Sequence, residues 1–267
     1  MYSLMLGGFI GSNNNKSADW GENILNNVAS NTIRHLFTQS ESVDVEVRCN
    51  PSSKLLQGSI DSFKMRGKGL VIRKDFRTEE MSFETDAVSI DFSSVLKGQL
   101  SLKQPTQAIA SVKLTQADIN SAFCADLVRK RLENLDSPSF TNLSGGEPVS
   151  FTDVEVQLLP KNRLKLFAKA HLPNRVVPVS LSCTLAIAKR RRILFQDPLF
   201  EEEAVPEESR DLSKILTNNL GDVLNNMVDL DRFNLDGVNL RLNRLETQGE
   251  NLVFSGYAQI ERVPKTG

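Results

Sequence analysis

Apolar and polar residues alternate strictly along several segments of the chain, and this pattern predicts β-strands. Between residues 163 and 172, Leu164, Leu166, Ala168 and Ala170 alternate with basic or polar residues, and residues 177–187 continue in the same way. Successive side chains of a strand point to opposite faces of its sheet, so each segment has one apolar and one polar face. The other predicted strands cover residues 43–49, 57–74, 81–92, 99–114, 149–158, 192–196, 233–245 and 252–262.

Three segments have the apolar spacing of a helix. The first starts at Asp19 and the second at Thr115, and an acid follows each three residues later, Glu22 or Asp118, in the pattern of a capping box. The apolar residues of the first and third segments cover a wider face than the stripe of a surface helix, so we expect neighbouring elements to enclose these helices on several sides. The predicted helices cover residues 19–37, 115–135 and 209–230.

Two features predict a strongly bent sheet. The inward-facing positions are odd-numbered at Met81 and Phe83 but even-numbered from Val88 onward, which predicts a β-bulge near Asp86. The segment 57–74 contains three glycines and would span about 50–60 Å if fully extended. We therefore expect an α+β fold in which a long, highly curved antiparallel sheet wraps around amphipathic helices.

The expected domain organisation is simple. Residues 1–18 form a flexible N-terminal segment and residues 19–267 one elongated domain, with 136–148 as an alternative junction between two halves. The apolar run from Met1 to Ile10 is too short to span a membrane, and no basic residue precedes it. It is interpreted either as a loose terminus or as a shallow membrane-inserting tip. The protein is expected to be cytoplasmic or peripherally associated with a membrane.

The net charge is close to zero, so any strong electrostatic attraction must be local. Lys and Arg total 32 and Asp and Glu 33, a balance that gives no general attraction to nucleic acid or to an anionic membrane. One basic cluster, Lys189, Arg190, Arg191 and Arg192, lies at the junction of two predicted strands. These cations are interpreted either as membrane contacts to phosphate head groups, worth about 1 kcal/mol each, or as a solvated turn balanced by Glu201 and the acids after it.

The chain offers no residues at the spacing of a catalytic or metal site. His35 and His171 have no Cys, Asp or Glu at ligand spacing. Cys49, Cys124 and Cys183 are too far apart for a zinc or redox motif, and we expect reduced, mostly buried thiols. The acidic run after the third helix lacks the glycine and the closing glutamate of a calcium loop. The sequence therefore predicts a protein that is not an enzyme and has no cofactor, metal or nucleic-acid partner.

Short motifs spread over most of the chain carry a family resemblance. They are Val-Glu-Val at 45–47, Leu-Gln-Gly-Ser-Ile-Asp at 56–61, Met-Ser-Phe at 81–83, the alternating residues 88–92, the strand-to-helix step 114–120 and the closing segments 240–242 and 254–258. A chain with these motifs resembles the bacterial LmeA-like phospholipid-binding family. The resemblance implies a tubular lipid-binding fold, similar to the BPI-like lipid-transfer domains, with an apolar tunnel for acyl chains.

The fold and the resemblance together lead to a hypothesis of non-catalytic phospholipid binding. Acyl chains would lie in a tunnel between the helices and the concave face of the sheet, for lipid transfer or membrane-lipid homeostasis. The same apolar pattern also fits a closed core, and the protein would then be a scaffold that binds a protein partner or a membrane surface through its basic turn. The predicted lipid contacts are Leu216, Leu220, Val223, Leu224 and Met227 of the third helix and Phe83, Ile90, Phe92, Leu166 and Leu181 of the strands.

Overall fold

The computed structural model describes residues 15–51, 53–72, 75–227 and 237–263, whose strands are all antiparallel. The strands are β1 (Ser42–Arg48), β2 (Ser59–Ile60), β3 (Ser62–Ile72), β4 (Phe76–Thr85), β5 (Val88–Ser89), β6 (Thr106–Thr115), β7 (Ser150–Leu159), β8 (Arg163–Leu172), β9 (Arg175–Ala188), β10 (Arg192–Phe200), β11 (Val238–Gln248) and β12 (Asn251–Ile260). They form a six-stranded sheet in the order β1-β3-β4-β6-β12-β11, a four-stranded sheet in the order β10-β9-β8-β7, and the ribbon β2-β5.

Seven α-helical segments accompany the sheets in the described part of the chain. They are α1 (Asn15–Arg34), α2 (Ser53–Leu56), α3 (Phe92–Val95), α4 (Gln116–Cys124), α5 (Asp126–Arg129), α6 (Pro138–Ser144) and α7 (Arg210–Met227). The predicted α+β class and the antiparallel pairing are confirmed. The wrapping of a curved sheet around a helix stays a prediction.

The helix predictions are partly correct. The first helix begins at Asn15, so Asp19 and Glu22 lie inside it and do not form its start. The second does begin with its capping box, in which the Asp118 N–H donates to Thr115 Oγ1 at 3.0 Å, but it ends after nine residues where the backbone becomes extended. The third is confirmed as α7, and its last three predicted residues lie outside the described residues.

The change of inward parity after β4 marks a change of sheet, so the bulge predicted near Asp86 is wrong. β4 ends at Thr85, and Val88 then pairs with Ile60 in the two-stranded ribbon. Phe92 begins the single turn α3 instead of continuing a strand. Parity restarts because the chain leaves one hydrogen-bonded surface and joins another.

Three other segments are shorter or more structured than predicted. The strand predicted at 57–74 is interrupted by a bend at Asp61, and the one predicted at 99–114 begins only at Thr106, after Pro105. Proline lacks the N–H that a central strand needs, which fits this late start. The loop predicted at 136–148 contains α6.

Helices cover both sheets. α1 runs antiparallel to β1, since Asn26 Oδ1 accepts a hydrogen bond from the Val47 N–H at 2.7 Å while Arg34 donates to the Val43 carbonyl at 3.3 Å. α7 packs against β9 and β10, and α4 packs against β7. Helices α6 and α7 and the four-stranded sheet together form a core. In it, the Phe140 and Phe151 rings pack edge to face with their centroids 5.7 Å apart.

Hydrogen bonds tie the four-stranded sheet at three places to β11 of the other sheet or to helix α4, which follows β6. In α4, Asn120 satisfies the edge of β7 by accepting from the Val156 N–H at 2.7 Å and donating to its carbonyl at 3.2 Å. The Asn162 amide exchanges hydrogen bonds of 2.9 and 3.0 Å with β11, at the Thr247 N–H and the Leu245 carbonyl. The turn between β9 and β10 also reaches β11, where the Leu242 N–H donates to a turn carbonyl at 2.6 Å. The last two contacts fix β11 relative to the four-stranded sheet.

Candidate functional site

One face of the six-stranded sheet is apolar across all six strands. Alternate residues of each strand point to this face, so the pairing register decides which side chains become neighbours. One row across the strands consists of Val45, Met65, Phe83, Ala110, Gly256 and Leu242.

The centre of this face is made of small residues. Ala108 pairs with Ala258, and Ala110 pairs with Gly256, across the β6–β12 ladder. We call these four residues the small-residue strip. They are buried, whereas the larger apolar residues that border the strip are only partly buried. The border residues are Phe83, Val238, Leu240 and Ile260. A floor of methyl groups and one glycine therefore lies between larger apolar neighbours.

The close approach of a neighbouring strand explains why residue 256 is a glycine. β11 is bulged between Leu242 and Arg244, and this irregularity brings its backbone close to β12. A Cβ atom at position 256 would overlap the Arg241 carbonyl oxygen. Glycine is therefore the residue that permits the close approach at this point.

The dimensions of the apolar face around the strip suit one extended alkyl chain. The inward positions of β6 from Ala108 to Leu114 extend over about 20 Å at the usual rise of a strand. The row from Phe83 to Leu242 crosses four strands, or about 14 Å. An acyl chain reaches through half of a hydrocarbon core about 30 Å thick, so about 15 Å of apolar length would accommodate it.

The ten residues predicted to contact lipid lie in separate clusters. The α7 residues join Leu166 and Leu181 in the core of the four-stranded sheet. Ile90 and Phe92 belong to the cluster between α1 and the β2–β5 ribbon. Phe83 alone of the ten borders the small-residue strip. The fold therefore does not bring the ten together around one space.

The four cations of the basic turn also have different surroundings. Lys189 and Arg190 are exposed, whereas Arg191 and Arg192 are half-buried. Arg190 donates to Asn243 Oδ1 at 2.5 Å, and Arg192 donates to the Asn225 carbonyl near the end of α7 at 3.0 Å. Their predicted contact with a membrane stays a prediction.

The histidines and Cys183, whose side chains could take part in chemistry, make local polar contacts or are buried. His35 and His171 are exposed, and their ring nitrogens contact the Asn31 carbonyl at 2.5 Å and Thr152 Oγ1 at 2.7 Å. Burial raises the pKa of the Cys183 thiol to about 12, so this residue stays protonated and unreactive. Within the described ranges, no group of three or more His, Cys, Asp or Glu residues is placed to hold a metal ion.

A network of charges joins β4 to the start of α4. Arg77 donates to Asp118 Oδ1, to Glu79 and to Glu41, each at 2.9 Å. Burial of the Asp118 carboxyl would raise its pKa, but hydrogen bonds from Thr115 and Arg77 outweigh this effect and lower it. Because Asp118 is almost fully buried, the network holds the helix against the sheet.

The small-residue strip was not predicted from the sequence. The signal available was the alternation of Ala108, Ala110 and Val112, opposite in parity to the polar residues of β6. Alanine and glycine carry little hydrophobic signal, and the pairing of β6 with β12 joins residues far apart in the chain. Only the folded register shows that Gly256 and Ala258 extend the same surface.

Comparison with known proteins gives a family. No curated protein and no solved structure matches the chain. No described helix is both long and apolar enough to cross a membrane. The model of a family described as LmeA-like phospholipid-binding matches residues 17–256, which is nearly the whole chain. The chain therefore belongs to the LmeA-like phospholipid-binding family.

Proposed function

We propose that the protein binds a phospholipid without catalysis and holds an acyl chain along the small-residue strip. The observation that carries this proposal is the apolar floor of Ala108, Ala110 and Ala258, bordered by larger apolar residues that are only partly buried. The family supports phospholipid as the ligand class. An acyl chain laid on this floor would cover the exposed parts of its apolar borders.

The expected affinity follows from the area that becomes buried. Each methylene transferred from water contributes about 0.8 kcal/mol. A chain with about ten buried methylenes therefore gains about 8 kcal/mol before the costs of ordering and association are subtracted. No catalytic group is needed to bind a lipid monomer. The phosphate head group would remain at one end of the strip, within reach of water.

The proposed lipid site lies on the six-stranded sheet and not in the core around α7, where the sequence had placed most of the lipid contacts. Leu166, Leu181 and Leu216 have 0% exposure and pack among many other buried side chains. Such packing is typical of a closed protein interior. We therefore propose Phe83 as the one predicted residue that contacts lipid directly, with the strip replacing the α7 face as the floor.

The first experiment is organic extraction of the purified protein followed by lipid mass spectrometry, on the wild type and on an Ala110→Leu variant. Leucine at this position fills the floor of the strip, and we expect the variant to lose most of the co-purifying phospholipid. The matched control is Ser111→Leu. Ser111 adjoins Ala110 in β6 but faces the opposite side of the sheet, so the control should keep its lipid.

Circular dichroism and thermal unfolding establish that both variants are folded. Lipid-free wild-type protein that also fails to take up phospholipid from vesicles would overturn the proposal. A folded Ala110→Leu variant with the full lipid content of the wild type would overturn its placement on the strip.

Vesicle flotation separates this proposal from the scaffold interpretation. Acyl-chain binding persists at high salt, because it rests on apolar burial, whereas attraction through the basic turn is screened. A carrier role adds a further expectation. Labelled phospholipid should move from donor to acceptor vesicles faster with the wild type than with Ala110→Leu.

A further inference from the structure

A polar pocket lies on the opposite face of the strands that carry the small-residue strip. Its volume is about 410 Å³, within the range of small-molecule sites. The described residues that line it include two arginines and no acid. They are Gln107, Arg190, Asn239, Arg241, Tyr257 and Gln259. We propose that this pocket binds a phosphate group, either on a soluble phosphate ester or on a lipid head group.

Two arginines flank one aromatic residue of the pocket lining. Tyr257 of β12 pairs directly with Arg241 of β11. Arg190 reaches the same ring from the β9–β10 turn, with its guanidinium carbon 5.8 Å from the ring centroid. Guanidinium groups match phosphate oxygens with fixed, charge-assisted hydrogen bonds, and arginine is the usual residue for such recognition.

The arginine of the turn is held in position before any ligand binds. Its carbonyl accepts a hydrogen bond from the Leu242 N–H at 2.6 Å, and its side chain donates to Asn243 Oδ1 at 2.5 Å. The Tyr257 ring supports the same side chain through a cation–π contact. Fewer side-chain rotamers are then lost on binding, which raises the affinity for a ligand of the right charge.

The backbone of the turn gives a second, independent argument. Lys189 and Arg190 are both in the left-handed region, with φ values of 50° and 59°. Glycine and asparagine are favoured at such positions, and other residues are strained there. The sequence places two long cations where the turn alone would favour smaller residues. Strain of this kind is often kept for the side chain that it positions.

The remaining lining residues supply neutral polar groups. The amides of Gln107 and Gln259 and the phenol of Tyr257 are able to donate to phosphate oxygens. Asn239 already donates to Glu261 Oε1 at 3.2 Å, so one carboxylate contacts the pocket lining and limits the positive charge. The resulting site favours a single phosphate group over a highly charged polyphosphate.

The test is a titration of the full chain with glycerol 3-phosphate by calorimetry. A parallel arm uses vesicles of phosphatidylcholine with or without phosphatidic acid. Arg190→Gln and Arg241→Gln should each raise the Kd about tenfold or more, because each removes charge-assisted hydrogen bonds. The control is Arg244→Gln, which removes an exposed cation of β11 outside the pocket lining and should change Kd less than threefold.

The outcomes identify the source of the phosphate. Saturable binding of glycerol 3-phosphate that the pocket variants weaken supports a soluble ester. Binding only to vesicles with phosphatidic acid, weakened by the same variants, supports a head group. Binding of neither probe, or an equal loss with Arg244→Gln, would overturn the proposal. The proposed function can fail independently of this proposal. A protein that lacks co-purifying lipid but still binds phosphate would contradict only the lipid site on the small-residue strip.

Discussion

Leu220 on α7 tests whether the helix face predicted to line a tunnel belongs to a closed core. It is 1% exposed and packs in the core of the four-stranded sheet. A Leu220→Ala change removes three carbon groups, worth about 2.4 kcal/mol in transfer free energy. A rigid surrounding core adds the energy of the remaining cavity, so we expect the free energy of unfolding to fall by about 3–5 kcal/mol.

The control is Ile215→Ala on the same helix. Ile215 is 46% exposed, so its truncation leaves an open surface instead of a cavity. We expect it to lower the free energy of unfolding by about 1 kcal/mol or less. Urea unfolding followed by circular dichroism measures both variants. The closed core would be refuted if both variants lost equally little free energy of unfolding and Leu220→Ala also had a changed lipid content. The lipid would then be placed against α7.

Three further predictions concern single contacts. Arg77→Met leaves the buried Asp118 carboxylate without its cation and should lower the free energy of unfolding by about 1–3 kcal/mol at neutral pH. The folded pKa of Asp118 is lowered, so its stabilisation is present above the unfolded pKa and is lost as pH falls toward the folded value; the difference between wild type and variant in urea unfolding should therefore shrink below about pH 4. The exposed Cys124 should react quickly with a thiol reagent and the buried Cys183 only on unfolding, and equal rates in the native protein would contradict this burial. Gly256→Ala should lower the melting temperature by several degrees, because the new methyl group overlaps the β11 backbone; an unchanged melting temperature would speak against the close approach.

The strands that could be predicted best are those whose inward residues are large. Leu164 and Leu166 of β8 and the residues 177–187 of β9 alternate clearly, and the structure pairs Leu166 with Leu181. Large aliphatic residues give the strongest contrast with lysine and arginine, and neighbouring strands in sequence form hairpins whose register is local. Pattern and pairing therefore agree in this sheet.

The features that could not be predicted depend on contacts between distant parts of the chain. The parity change near Asp86 is real in the sequence, but only the pairing of Val88 with Ile60 shows that a second sheet causes it. The apolar pattern of α7 predicted the helix correctly but not its role, because the same apolar face can line a tunnel or pack in a closed core. The small-residue strip was missed for the opposite reason, since its residues are weakly hydrophobic and become a surface only when β6 and β12 pair.

The two proposed sites share one strand, and this links them physically. In β12, Gly256 and Ala258 face the apolar side, while Tyr257 between them faces the arginine pocket. A shift of one residue in the register would exchange the two faces and destroy both surfaces. The hydrogen bonds from Asn162 and from the β9–β10 turn hold β11, the neighbour of β12, in its bulged register. If the two proposals hold, the four-stranded sheet takes part in binding even with no lipid in its core, because it fixes the strands on which both ligands are proposed to lie.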